Sequence, residues 1–327
     1  MATRHSDPAQ KEDLFLMETY TVSQLVKDMR FEGFLLVRSS DQRTGSNGSR
    51  YLDMNLTDRT GEINCKMWDG TVAPPQVGSV RGLVQEYNGR QQLRIERIRA
   101  AQPEDHVDLR LLVPCAPEEP EIMYKEITDT VARFEREDLR KLVTEMLRMA
   151  GDKLMYFPAA QRLHHAERSG LLHHTTGMLR TAEHIIAAYP FLNGDLLRAG
   201  VILHDLSKIQ EMNSDDMGNV NDYTRDGLLI GHLVRGVAQL SLAAQNVGVT
   251  GEIVLLLEHM IISHHGEAEF GSPRMPMFPE AEALHWIDLL DARMNEMQSI
   301  MQRTPEGAFS EKIWSLDRRR YNPHYEE

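Results

Sequence analysis

The sequence predicts two folds in one chain, a small β-barrel followed by an all-α domain, and three observations carry that prediction. Short alternating segments crowd residues 30–100, helical periodicity runs through residues 122–303, and an acidic, proline-containing stretch, 101–121, separates them. At 327 residues the chain is also long for one hydrophobic core. The expected division is 1–20 an N-terminal extension, 21–100 the barrel, 101–121 a linker, 122–303 the helical domain and 304–327 a tail.

In the first region FEGFLLVR, RYLDMNLTD, GEINCKMWD, SVRGLVQEY and RQQLRIERIR alternate apolar and polar residues, with polar turns at DRTG (58–61) and YNGR (87–90). Five short antiparallel strands in so few residues suit a closed or nearly closed barrel, the strand count of an OB-fold. Alternation turns Leu52, Met54 and Leu56 inward, with Ile63, Cys65 and Met67 beside them. Tyr51, Lys66 and Trp68 then share the outer face. Rings beside a cation suit single-stranded nucleic acid, whose bases stack while its phosphates meet positive charge. Alternatively, Trp68 wraps under a barrel rim into the core.

Beyond residue 121 the chain reads as a succession of helices. They are MYKEITDTVARFEREDLRKLVTEMLRMAG, LLHHTTGMLRTAEHIIAAY, DLLRAGVILHDLSKIQEM, DGLLIGHLVRGVAQLSLAAQ, GEIVLLLEHMIISHHG and FPEAEALHWIDLLDARMNEMQSIM. Apolar residues recur every three or four positions, and Gly or Pro separates the segments. The run Arg318–Arg320 either contacts nucleic acid or belongs to a solvated tail.

Apolar content of 41% and charged content of 26% exclude a disordered or fibrous chain. No apolar leader opens the sequence and no window reaches membrane-spanning length, so a cytoplasmic protein without membrane contact is expected. Cys65 and Cys115 are too far apart for metal-knuckle spacing. The net charge of −13 is unevenly spread: residues 21–100 carry +3 and residues 151–327 carry −9. An acidic helical domain suits a carboxylate site that needs cations.

Fourteen histidines are present, and several fall one per helix. His173 and His174 open one segment, His204 and Asp205 lie in the next, and His232 in the third. His264 and His265 close the fourth, and Asp288 lies in the fifth. Facing helices can bring such residues to one centre. Imidazole with carboxylate and no thiolate suits Mn, Fe, Zn or Ni. A solitary histidine on an apolar face is more often a hydrogen-bonded core residue, and Asp288 or Asp291 alone could pair at a surface. The joint pattern points to a metal site.

The order His174, His204-Asp205, His232, His264/His265, Asp288 resembles the HD superfamily of metal-dependent phosphohydrolases. It is similar in particular to the YhaM-type 3′–5′ exoribonucleases, which join an OB-fold to an HD domain. The resembling stretches are NGSRYLDMNLTDRTGEINCKMWD, FPAAQRLHHAERSGLLHHTTGMLR, DLLRAGVILHDLSK, SHHGEAEFGSPRMP and EALHWIDLLDA, within about residues 20–320. The resemblance implies that His174, His204, Asp205 and Asp288 hold one metal. It implies that His232 with His264, His265 or both adds a second, Asp205 bridging. Lys208 matches a lysine expected near substrate phosphate, although Ser207 replaces the usual preceding glycine and Phe270 a common tryptophan. His165 falls in a motif near the site, as a metal or substrate contact, and with Asp205 and Lys208 completes the expected catalytic set.

Two divalent ions are thus expected, Mn2+ first, with Fe, Zn, Ni, Co or Mg as alternatives. They would lower the pKa of a water for in-line attack at phosphorus, without a Ser or Cys nucleophile. The implied substrate is single-stranded RNA or DNA, shortened from its 3′ end to nucleoside 5′-monophosphates, and the implied assembly a homo-oligomer. The alternatives are an HD-type nucleotidase or cyclic-dinucleotide phosphodiesterase, and a single-stranded nucleic-acid-binding factor.

Overall fold

A computed structural model describes residues 20–45, 48–68 and 76–325, so the extension at 1–20 lies, apart from Tyr20, outside the described residues. The chain separates into two units, Met1–Leu112 and Val113–Glu327. In the first, β1 (Arg30–Thr44), β2 (Arg50–Asp58), β3 (Gly61–Trp68), β4 (Val77–Tyr87) and β5 (Arg90–Ala100) close into a barrel in the order β1-β2-β3-β5-β4. The seams are antiparallel except β3–β5, which runs parallel through Asn64–Gln92, Cys65–Leu93 and Lys66–Arg94. An all-antiparallel barrel was the expectation, but a ring of five strands cannot alternate direction at every seam.

Leu52, Met54, Leu56, Ile63 and Cys65 fill the barrel core as the alternation requires. Asp58 fixes the β2–β3 turn. Its Oδ1 accepts from the Thr60 and Gly61 amides at 2.7 and 3.1 Å, and its Oδ2 from the Val22 amide at 2.7 Å. β1 runs six residues past the alternating segment. A bulge between Val37 and Ser39 lets its first half pair with β4 and its second with β2. Ser39–Thr44 is polar on both faces, so periodicity does not mark it as strand.

The second unit holds α1 (Pro120–Ala132), α2 (Glu137–Ala150), α3 (Gly170–Ala188), α4 (Gly194–Leu203) and α5 (Lys208–Glu211). After a small ribbon, β6 (Met212–Ser214) with β7 (Val220–Tyr223), come α6 (Arg225–Leu229), α7 (Gly231–Val247), α8 (Glu252–Ser263) and α9 (Pro279–Arg303). α2 buries Leu139, Leu142, Val143, Met146 and Leu147, the stripe expected of a helix with one apolar face. α4 is different: Leu196, Leu197 and every residue from Ala199 to Leu203 are buried, making it a central helix.

The segment expected as a linker holds two 3-10 turns, Pro103–Asp105 and Leu109–Leu111, and the unit boundary falls inside it. The helix expected over 195–212 breaks at His204, and the ribbon was not anticipated in an all-α domain. The tail folds back as a hairpin in which Phe309 pairs with Tyr321 and Ile313 with Arg318. Arg319 donates to the Ser310 carbonyl at 2.8 Å and lies over the Phe309 ring. Among the described residues no helix is long and apolar enough to cross a membrane.

Candidate metal centre

α4 and α8 each end on a histidine. His204 and His264 donate Nδ1–H to the carbonyl three residues back, Val201 and Ile261, at 2.8 Å in both cases. Helices leave their last-turn carbonyls without intrahelical donors, so each ring caps its own helix. A carbonyl only accepts, which puts the proton on Nδ1 and leaves the Nε2 lone pair facing outward. Past α8, Gly266 adopts φ +78, and a Cβ there would lie 2.4 Å from the His285 ring. That close approach lets His285 Nδ1 donate to the His264 carbonyl at 2.8 Å.

The outward nitrogens meet Asp205. Its Oδ2 lies 3.4 Å from His204 Nε2 and 3.7 Å from His174 Nε2. His174, fully buried in α3, also places Nε2 3.3 Å from Asp288 Oδ1 and 3.3 Å from His204 Nε2. The other oxygen of Asp205, Oδ1, lies 3.5 Å from His232 Nε2 and 3.6 Å from His264 Nε2. His265 stacks edge-on against His264 and near His232, and its ring joins theirs in one donor group. One carboxylate thus faces two donor sets, with its oxygens divided between them.

These residues fit divalent cations on a specific observation. Asp205 Oδ1, His232 Nε2 and His264 Nε2 are buried and have no hydrogen-bond partner, although they converge. Buried polar atoms are otherwise nearly always paired, and leaving three unpaired costs about 1–3 kcal/mol each. A hard or borderline cation satisfies a carboxylate oxygen and two imidazole nitrogens together.

The outer layer was less visible in sequence. His174 Nδ1 bonds Asp291 Oδ2 at 2.7 Å, and His232 Nδ1 bonds Glu211 Oε1 at 3.0 Å. Carboxylates behind ligating imidazoles fix the tautomer and raise basicity. Burial works against a charged His174, but Asp288 and Asp291 outweigh it and raise its pKa to about 9. Burial pushes His264 down to about 3 and lowers His265, so both are neutral and present lone pairs. Burial also opposes ionisation of Asp205, yet the Lys208 ammonium holds its carboxyl well below the usual range. Lys208 Nζ sits 2.6 Å from Asp205 Oδ2. Ser207 has φ −76, a conformation open to any residue, and its Oγ donates to Gln239 Oε1 at 2.5 Å, so the turn before Lys208 does not require glycine.

His165 stands one layer further out. With φ +50 it turns its ring to Asp291, Nε2 to Oδ2 at 2.7 Å, and approaches His173. It is His164 that lines the cavity of ≈ 660 Å³ beside the donors, together with Asp205, Lys208, His264, His265 and Asp288. Burial and then Lys208 push the His164 ring down to about 3.

In the barrel unit, Trp68 is 43% exposed and its ring centroid is 4.8 Å from that of Tyr51, which decides for the outer face over the core. Lys66 Nζ lies 5.3 Å from the Tyr51 ring and 5.0 Å from Tyr87, a residue sequence alternation did not single out.

Comparison with known proteins fits this geometry. The HD domain family model matches residues 171–293, the stretch that carries the donors. The 3′-5′ exoribonuclease YhaM of Oceanobacillus iheyensis is 38% identical over 305 residues, 91% of this chain and 95% of that protein. That of Listeria innocua is 40% identical over 303 residues, covering 90% and 96%. That of Bacillus subtilis is 38% identical over 295 residues, covering 88% and 93%. With a match too long to fit within either unit alone, the chain belongs to the YhaM family of 3′-5′ exoribonucleases.

Proposed function

We propose that the chain is a divalent-cation-dependent 3′–5′ exonuclease that hydrolyses single-stranded RNA, and single-stranded DNA as a second substrate, to nucleoside 5′-monophosphates. The observation that carries the reading is the divided carboxylate of Asp205, whose unpaired Oδ1 faces the unpaired nitrogens of His232 and His264. His174, His204, Asp205 and Asp288 would hold one cation; Asp205, His232, His264 and His265 would hold a second. Such cations, Mn2+ foremost, supply an activated water and offset charge on the phosphoryl oxygens.

The chain's own groups do the rest. Lys208, raised in pKa by Asp205 against the opposing effect of burial, stays protonated and offers its ammonium to a non-bridging oxygen. His164, neutral beside it, offers a hydrogen bond rather than a second charge. Asp291 and Glu211 hold His174 and His232 in their ligating tautomers. His165 and Asn295 act behind them: the His165 ring meets Asp291, and the His165 amide donates to Asn295 Oδ1 at 2.9 Å. Breaking the terminal phosphodiester at its 3′ oxygen leaves a new 3′-hydroxyl, so the shortened chain is again a substrate. Tyr51, Lys66 and Trp68 would retain the strand between cleavages by stacking and charge.

The test is incubation of 5′-labelled single-stranded RNA with the full chain and Mn2+. A ladder descending in one-nucleotide steps, absent with chelator, is expected. Intact RNA alongside hydrolysis of mononucleotides or cyclic dinucleotides would overturn the reading.

A further inference from the structure

The cavity beside the donor cluster has two chemically unlike ends. Lys208 and the donors stand at one; away from them Leu163, Met275, Pro276, Trp286, Leu289 and Leu316 supply an apolar wall, with Glu267, Arg293 and Glu296 among the polar residues beside it. Neither a cation nor a phosphate needs such a wall. Its volume, ≈ 660 Å³, lies within the range of small-ligand sites, about 300–1,000 Å³. The wall is assembled from separate stretches. Leu163 precedes α3, Met275 and Pro276 precede α9, and Leu316 comes from the C-terminal hairpin. Ser315 bonds Glu296, which ties that hairpin to α9.

Trp286 is the one wide ring in the wall. It sits on α9 two residues before Asp288 and is 57% exposed. Its indole N–H donates to Glu282 Oε1 at 2.8 Å, which orients the ring and occupies its only polar atom. What remains is a fixed aromatic surface within one helical turn of a donor.

Resting on the exonuclease reading, we propose that this wall seats the 3′-terminal nucleobase, stacked on Trp286, while its phosphodiester lies at the donor end. No Asn or Gln lines the described cavity, and those side chains read adenine edges in paired bonds. Two of its carboxylates, Glu282 and Glu296, are already engaged by Trp286 and Ser315. Stacking serves every base, since each has a π face. The stack on Trp286 therefore senses that a base is present, whichever base it is; Arg293 and Glu267, which also line the cavity, stand where an edge contact would add to it.

The experiment compares single-stranded RNAs that differ only at the 3′-terminal residue: each of the four nucleotides, or an abasic ribose. With full chain and Mn2+, the four nucleotides should leave at rates within a few-fold of one another. The abasic residue should leave about tenfold more slowly or worse, the scale of one lost base stack. Trp286→Ala should slow ordinary termini to the abasic rate, and Trp286→Phe should restore most of the difference. Equal wild-type rates for abasic and ordinary termini, or unchanged discrimination in Trp286→Ala, would overturn the subsite while leaving the exonuclease reading intact. If no strand is shortened, that reading fails, and the subsite is judged by binding of AMP against ribose 5-phosphate. Tighter AMP binding that Trp286→Ala removes supports it; equal binding overturns it.

Discussion

In the barrel, Asp58 is the one buried polar side chain among the described residues, and turn amides satisfy it; the helical unit buries His165, His174, His204, Asp205, His232 and His264 around a point where three of their atoms lack partners. The barrel keeps its chemistry outside, on Tyr51, Lys66 and Trp68, over a core that is apolar throughout. The proposed strand-binding role of that face needs exposed rings beside a cation, and a small dry core suffices to hold them. A hydrolytic centre needs donors fixed in a water-poor setting, and only a larger core can enclose that many polar groups. The contrast predicts that binding and turnover can be damaged separately.

The largest effect is expected from Asp205→Asn, which keeps the shape and removes the shared charge. Turnover should fall by about a thousandfold or more, several kcal/mol of transition-state stabilisation, while single-strand affinity measured by anisotropy changes little. Parallel loss of both in a folded variant would break the contrast. Asp291→Ala comes next. It leaves every proposed ligand in place but releases the His174 ring, and should weaken cation affinity about 10–100-fold. Calorimetric titration checks this, and unchanged affinity would show that the carboxylate does not matter to the donors.

Trp68→Ala should act on the other side, weakening single-strand binding by about 1–3 kcal/mol while leaving cation affinity untouched. A raised KM on long strands, with little change on a dinucleotide, is the expected signature. The smallest effect concerns Cys65, whose thiol burial pushes up to about 12. In native conditions at neutral pH it should not react with thiol reagents until the barrel opens. Rapid labelling of Cys65 would contradict a closed core.

The donor set was legible because it recurs once per helix, a spacing that survives ignorance of how the helices pack. The break at His204 was not, since VILHDLSKI carries its apolar period straight through the turn, where the His204 ring caps the helix end through the Val201 carbonyl. Asp291 and Glu211 were hidden for another reason. Their partners lie 117 and 21 residues away, so only tertiary packing tells them from surface carboxylates. Of the His164-His165 doublet the family resemblance points to His165; the structure instead brings His164 to the cavity, with His165 at φ +50 and its ring on Asp291. In the barrel, alternation located the inner residues of β2 and β3 but missed the polar end of β1 and the contribution of Tyr87.

The division of Asp205 between two donor sets is tested most directly by counting cations. Full-length chain dialysed against Mn2+ and assayed for bound metal should carry two ions per chain. His232→Ala should carry one, and Asp205→Asn should hold both weakly enough to lose them on dialysis. A single ion in the wild type, or an unchanged count in Asp205→Asn, would contradict a bridging carboxylate.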